Sequence, residues 1–363
     1  MEAPAPIIRE LRVRAVELPM PRPVQMARRT IASAPMVLID LQTEYGVTGS
    51  SYLLCYVPAL LKPLVQIVRS MGSLAEKAPL SPLSLHRMLR EWLHMPGWQG
   101  LACLAIAGID MAAWDALAKT AKLPLAVLLG GNIEPIPAHG SLFSIDPIAV
   151  AAEAEKAVTL GFTAVKVKVG RSDLDADLEV IGAIRSAVGP KIGIMVDYNQ
   201  SLSFPEAQRR VHALDDLGLI WIEEPTRADD FDAHATIARE ARTPIQLGEN
   251  WWGVQDAVKS ISAKASDHAM LDVMRMGGVT GWLQAAAVLG AAGLPVTSHL
   301  FPEFSGHLLA VTPTRQWLES YVGGGSAILR DPIKIENGHA ILRPEPGAGI
   351  EWNEDVVQKH LVD

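Results

Sequence analysis

Apolar and polar positions alternate in two different rhythms along the chain. Up to about residue 132, Leu11, Val13 and Ala15 alternate with Arg12 and Arg14, the period of two that marks a half-buried strand. Residues 36–41 (MVLIDL) and 47–54 (VTGSSYLL) flank Glu44-Tyr45-Gly46 and predict a hairpin. The stretch 101–119, rich in Ala and Leu and preceded by Gly100, predicts a long helix. Strands followed by helices predict an α+β unit over residues 1–132.

From about residue 133 the rhythm changes. Short apolar strands are expected at 135–141, 162–170, 191–199, 219–225, 244–250, 268–274, 294–301 and at Trp317-Leu318-Glu319. Ala-rich helical segments such as 146–161 and 204–218 lie between them. Eight strand–helix units over 133–321 predict an α/β fold, a modified (β/α)8 barrel of the TIM type. A doubly wound open sheet is the other arrangement of such units, but no glycine-rich phosphate loop follows the first strand. Residues 322–363 lose the rhythm and are expected to fold back on the first unit, which would then cap the barrel.

Three successive strands end in carboxylates, Asp197, Glu223 and Glu249, each 26 residues after the last. Equal spacing in a βα repeat sets them at one height on neighbouring strands, where they repel unless a cation joins them. An all-oxygen set with room for water and substrate suits Mg2+, one ion per subunit, with Mn2+ as a substitute. Acids that cap the following helix are the plainer explanation for any one of them, but not for three in phase. Lys166 and Lys168 stand two apart and share one face. Val165, Val167 and Val169 cover the other, so the lysines point into the barrel or its mouth. Burial and a like neighbour lower a lysine pKa and make it a base near neutral pH. Asp272 and His299 end the sixth and seventh strands 27 residues apart, a spacing that sets a carboxylate against an imidazole. Glu319 ends the eighth strand, where an apolar mouth would raise its pKa and leave a protonated donor.

Composition adjusts this picture in a few places. Lys plus Arg number 32 against 40 Asp plus Glu, a formal charge of −8, which argues against a nucleic-acid partner. With 49% apolar and 20% charged residues the chain has ample material for a core. Met276–Pro302 contains no acid, Lys or Arg, yet Gly277, Gly278, Gly281, Gly290, Gly293 and Pro295 interrupt it too often for a membrane span. The N-terminal segment carries Glu2 and Glu10 and no signal-length apolar run. Cys55 and Cys103 sit in apolar stretches as two inert thiols. A cytoplasmic protein without membrane or nucleic-acid partners is expected.

At these residues the chain resembles the enolase superfamily, and within it the mandelate racemase/muconate lactonizing enzyme family. The likeness runs through AGIDMAAWDALAK (107–119), KVKVG (166–170), IMVDYNQSL (194–202), WIEEPT (221–226), GENW (248–251), GGVTGW (277–282), SHLF (298–301) and TPT with WLE (312–319). It implies Mg2+ on Asp197, Glu223 and Glu249, with Lys168 as base for one enantiomer and His299, backed by Asp272, for the other. It implies that Lys166 holds the carboxylate of a small-molecule substrate and that Glu319 donates to it. Asn199, Ser141, Tyr56, Val24 and Arg28 fall at substrate-contacting positions, and a homo-oligomer, often an octamer, is implied. The reaction implied is racemisation of a 2-hydroxy carboxylate such as mandelate through an enediolate. Dehydration of an acid sugar or hydroxy-diacid by the same groups is the alternative. A barrel that only binds an anion and a Schiff-base aldolase are further classes; a full set of bases argues against the first and the three carboxylates against the second. The chain departs from the pattern at Arg28, Arg29, His139, Arg275 and Tyr321, where the family example carries other residues. Arg28 either clamps a second polar group or points to solvent with its stem lining the slot.

Overall fold

The computed structural model describes residues 6–323 and 325–362, apart from the Pro21 side chain. The expectations placed on residues 1–5, Glu2 among them, on Gly324 and on Asp363 lie outside the described residues. Three antiparallel strands open the chain: β1 (Ile8–Gln25), β2 (Thr30–Thr43) and β3 (Thr48–Leu54), paired in that order. The expected turn at Glu44-Tyr45-Gly46 joins β2 to β3. The segment around residues 23–35 continues the β1–β2 pairing, with Val24 opposite Ile31 and a tip at Met26–Arg29.

Helices α1 (Leu61–Ala75), α2 (Pro82–Trp92) and α3 (Leu101–Ala121) follow. α3 lies so close to the sheet that a Cβ on Gly49 would sit 2.0 Å from the Ala112 carbonyl oxygen. Small residues on both sides permit that approach. Its other side meets the barrel, where Trp114 Nε1 donates to Thr280 Oγ1 at 2.9 Å. Buried all round, α3 is apolar all round. It is long and apolar enough to cross a membrane, but 83% of that stretch is buried inside the protein. The Met276–Pro302 stretch is a glycine turn, a helix and a strand.

After the short α4 (Leu125–Leu128) strands and helices alternate: β4 (Ile136–Ser141), α5 (Pro147–Thr159), β5 (Ala164–Lys168), α6 (Leu174–Val188), β6 (Gly193–Asp197), α7 (Phe204–Leu214), β7 (Ile222–Glu223) and α8 (Phe231–Glu240). They continue as β8 (Ile245–Leu247), α9 (Val254–Ala263), β9 (His268–Asp272), α10 (Val279–Ala291), β10 (Val296–His299), α11 (Pro302–Leu309) and β11 (Leu318–Tyr321). β4 to β10 pair in sequence and β11 pairs in parallel with β4. The ring closes where Gln316 N–H donates to the Val296 carbonyl at 2.7 Å and Ser298 N–H to that of Trp317 at 3.0 Å. The fold is thus a modified TIM barrel with an N-terminal capping domain. Seven helices, not eight, separate the eight strands among the described residues, because the chain leaves β11 for another task.

That task is to tie barrel and cap together. β12 (Lys334–Glu336) and β13 (His339–Ile341) form a hairpin whose second strand pairs antiparallel with the start of β4. The chain then crosses to the cap, where α12 (Glu354–Lys359) brings Glu354 within 2.6 Å of Arg14. Trp352 Nε1 donates to Asp40 Oδ1 at 2.6 Å, and Val362 N–H to the Ala15 carbonyl at 2.9 Å. Arg14 is therefore buried, although the alternation of β1 places it on the polar face. The tail covers that face.

Candidate metal and proton-transfer site

The acids of the barrel fall into two groups by what they touch. Asp146, Asp173 and Asp230 accept backbone N–H groups in the first turns of α5, α6 and α8 and serve as helix caps. Asp197, Glu223 and Glu249 do not. Their carboxylates converge at the C-terminal end of the barrel, with one oxygen of each within 4.8 Å of the others. Asp197 and Glu223 are the last residues of β6 and β7. Glu249 stands two residues past β8, after Gly248 at φ 134°. A Cβ there would lie 2.5 Å from the Met270 carbonyl oxygen, so glycine lets the chain swing Glu249 inward.

Lys166 and Lys168 point inward from β5, as their spacing predicts. Lys168 Nζ donates to Asp197 Oδ2 at 2.9 Å. Lys166 Nζ lies 3.0 Å from Glu223 Oε2 and 3.0 Å from Glu319 Oε1. The expectation that burial lowers their pKa values needs correction for this arrangement. Burial pulls both down, but Glu223, Glu319 and Asp197 around Lys166, and Asp197 beside Lys168, outweigh it and hold both ammonium groups well above their usual range. Glu319 is corrected in the same way. Burial pushes its carboxyl up, but Lys166, His299, His139 and the Ser141 hydroxyl at 2.6 Å hold it well below the carboxylate range. It is an anion accepting three donors, the third being Leu300 N–H at 3.1 Å, not the protonated donor that an apolar mouth would make.

Across the ring, His299 Nδ1 lies 2.7 Å from Asp272 Oδ2 and Nε2 lies 3.5 Å from Glu249 Oε2. Burial depresses the imidazole, but Glu249 and Asp272 more than restore it, so its pKa is raised. Lys168 thus touches the triad at Asp197 and His299 touches it at Glu249, two strands further round the ring. Asp197, Glu223, Glu224, Glu249, Asp272, Glu319, both lysines and His299 are each at most 9% exposed. Burial, together with Asp197, Glu249 and Glu319, pushes Glu223 well above the carboxylate range, while Lys166 pulls it back. Such crowding of hard oxygen donors, with no sulfur or imidazole among the three, fits a divalent cation of the Mg2+ type.

The remaining expected contacts are placed as follows. Asn199, at φ 43°, donates from Nδ2 to Asp197 Oδ2 at 2.8 Å and leaves Oδ1 buried without a partner. Val24 is buried and the Tyr56 hydroxyl is buried without a partner. Arg28 neither lines the slot as a free clamp nor reaches into solvent alone; its guanidinium donates to the Ser201 carbonyl beyond β6. Arg29 donates to the Tyr56 carbonyl at 3.1 Å, so the two arginines fasten the β1–β2 tip. The Tyr321 ring lies 5.0 Å from Phe143. His139 lies wholly inside the barrel, edge-on to Trp221 at 5.7 Å, and burial with Lys166 nearby lowers it to about 3.

Several residues escaped the sequence reading. Asn250 Nδ2 donates to both Glu224 oxygens at 2.8 and 2.7 Å and to Glu249 Oε1 at 3.2 Å. Gln246 spans the floor from Glu223 Oε2 at 3.4 Å to Thr297 Oγ1 at 3.2 Å. Tyr52 on β3 donates to Glu303 Oε2 at 2.9 Å and so joins the cap to the helix after His299. The doublets Glu223-Glu224 and Glu249-Asn250 were the available signal; the Tyr52–Glu303 pair left none.

Comparison with known proteins agrees with this geometry. The profile of the mandelate racemase/muconate lactonizing enzyme N-terminal domain matches residues 8–130, and that of the enolase C-terminal domain-like family matches residues 149–356. The crystal structure of an enolase from Bradyrhizobium, complexed with magnesium and mandelic acid, is 41% identical, superimposes with a TM-score of 0.95 and is covered over 100% of both chains. A 3,6-anhydro-alpha-L-galactonate cycloisomerase of Streptomyces coelicolor is 33% identical over 71% of this chain and 72% of its own. An arabinonate dehydratase of Saccharolobus solfataricus is 28% identical over 92% of this chain and 93% of its own.

Proposed function

The chain belongs to the mandelate racemase/muconate lactonizing enzyme family of the enolase superfamily, and from that membership we propose that it inverts the α-carbon of a 2-hydroxy carboxylate, mandelate or a relative. It is an enzyme of Mg2+-dependent enolisation chemistry acting on a small carboxylate. The observation that carries the finer reading is the pair of proton carriers, Lys168 on β5 and the Asp272–His299 dyad on β9 and β10, set on opposite sides of the triad. Lys168 Nζ takes the α-proton of one enantiomer, and His299 Nε2 takes that of the other. Each returns a proton to the face opposite its partner's. Asp272 fixes Nδ1 and leaves Nε2 for transfer. Lys166 binds the substrate carboxylate, and Glu319, held by Ser141 and Leu300, orients Lys166. Asp197, Glu223 and Glu249 hold the cation. When bound, it supplies the positive charge that acidifies the α-proton and draws off the anionic charge that keeps Lys168 protonated.

In this proposal residues 1–132 select the substrate, residues 133–321 react with it and residues 322–363 secure the two. A homo-oligomer, an octamer by family likeness, and a cytoplasmic setting belong to it as well; the free, buried thiols Cys55 and Cys103 speak for a reducing compartment. Incubation with Mg2+ and candidate acids in D2O tests it. Exchange of the α-proton with inversion is expected. Formation of a 2-keto acid, trapped by semicarbazide, would instead establish dehydration, which the likeness to an arabinonate dehydratase keeps as the second reading. Neither product across a broad library of hydroxy acids would overturn both.

A further inference from the structure

Arg275 stands three residues past Asp272, and its backbone is pinned on both sides. Its N–H donates to Asp272 Oδ1 at 2.9 Å, and its carbonyl accepts from Gly253 N–H at 3.2 Å and from Cys103 Sγ at 3.2 Å. The guanidinium lies between two rings, 5.3 Å from the centre of Tyr56 in the cap and 5.7 Å from that of Trp252 in the loop after β8. Such a sandwich fixes the plane of the fork. Among the described residues the guanidinium makes no ion pair, and the polar side chain it stands against is the Tyr56 phenol. The carboxylates near it are otherwise engaged: Asp272 with His299, Glu224 with Asn250, Glu249 with the triad. Beside it the Tyr56 hydroxyl is buried without a partner. A half-buried cation without an ion pair and a buried hydroxyl thus meet as a polar corner at the seam of cap and barrel. Arg28, the residue singled out for that duty by sequence, is tied to Ser201.

We propose that Arg275, with the Tyr56 hydroxyl, receives an acceptor oxygen on the substrate's tail, so that the enzyme prefers 2-hydroxy acids with a hydroxyl or carboxylate tail over those with a phenyl tail. This rests on the reading of the site as a 2-hydroxy-acid enzyme and narrows it. A guanidinium held flat offers paired donors to such an oxygen, and leaving those donors facing a phenyl ring forfeits their hydrogen bonds.

Calorimetric titration at saturating Mg2+ tests the proposal, with galactarate (carboxylate tail), gluconate (hydroxyl tail) and mandelate (phenyl tail) added to the full chain and to Arg275→Met. The dissociation constant of galactarate or gluconate relative to mandelate should rise at least tenfold in the variant, equivalent to about 1.4 kcal/mol. The larger rise of the two identifies the tail. Arg275→Lys keeps the charge but not the fork; it should move the same ratio severalfold, and it keeps the test open if Arg275→Met does not fold. A ratio unchanged in both variants, with all three acids weakened alike, would make Arg275 a mere counter-charge and overturn the proposal. So would a wild-type chain that binds mandelate and neither of the others. Exchange in D2O on the same samples separates the failures: exchange with an unchanged ratio defeats only this inference, whereas no exchange with any acid defeats the parent reading.

Discussion

Asp40 in the cap and Asp197 at the barrel mouth are both buried carboxylates beside a basic side chain, 3.0 Å from Arg14 and 2.9 Å from Lys168. Around Asp40 every neighbour is a donor: Ser50 Oγ at 2.8 Å, Trp352 Nε1 at 2.6 Å and Arg14, which Glu354 balances in turn. Around Asp197 the neighbours include Glu223 and Glu249, and six acids share the mouth with two buried lysines. The first cluster has its charges balanced within the chain and fastens three distant segments. The second is crowded with like charge and becomes complete only with a cation. Burial is common to both; what differs is whether the fold supplies the counter-charge.

The contrast can be broken most forcefully at the mouth. Lys168→Ala and His299→Asn should each lower racemisation in both directions by about a thousandfold or more, the scale of a lost general acid or base, while α-proton exchange persists on the enantiomer whose base remains. Two-way racemisation in either variant, followed by polarimetry, would show that these groups do not act as opposed bases. In the cap, Asp40→Asn should cost about 3 kcal/mol of stability, the usual cost of breaking a buried pair, and the loss in Tm should be the same with and without Mg2+. Glu223→Gln should behave oppositely. Because its carboxylate is disfavoured by its surroundings, the metal-free variant should melt no lower than wild type. The rise in Tm on adding Mg2+, worth about 2.7 kcal/mol at a hundred times Kd, should vanish. The smallest effect sets a baseline outside both clusters. Burial lowers the pKa of His234 on α8, so the stability it contributes is present above the ordinary histidine pKa and fades as pH falls below it. Thermal melts from pH 7 to 5 should show a shallower decline in His234→Gln than in wild type.

The barrel was legible because its strands repeat: in-phase acids at 197, 223 and 249 need only counting, and two lysines with one valine between them declare their face. The cap hairpin and α3 were legible for the same local reason. What escaped depends on pairs far apart in sequence. Arg14 looks solvent-facing until residues 352–354 arrive to bury it, and Tyr52 gives no hint of Glu303. Charge states were the least legible. Glu319 at the end of an apolar strand promises a raised pKa, and only the placement of Lys166, Ser141 and Leu300 around it reverses the sign. Nothing local shows that the carbonyl of Ser201 lies within reach of Arg28.

The partners that finish the cap cluster lie 312 and 340 residues downstream of the groups they satisfy, Trp352 donating to Asp40 and Glu354 accepting from Arg14. On a ribosome adding roughly 5–20 residues per second, that gap lasts on the order of 15–60 s. The cap sheet therefore emerges first and is completed last, after β11 has allowed the barrel to shut. Throughout that interval the nascent chain carries a cap sheet whose Asp40 and Arg14 lack these partners. A message cut short before residue 352 would release a product whose cap is never latched.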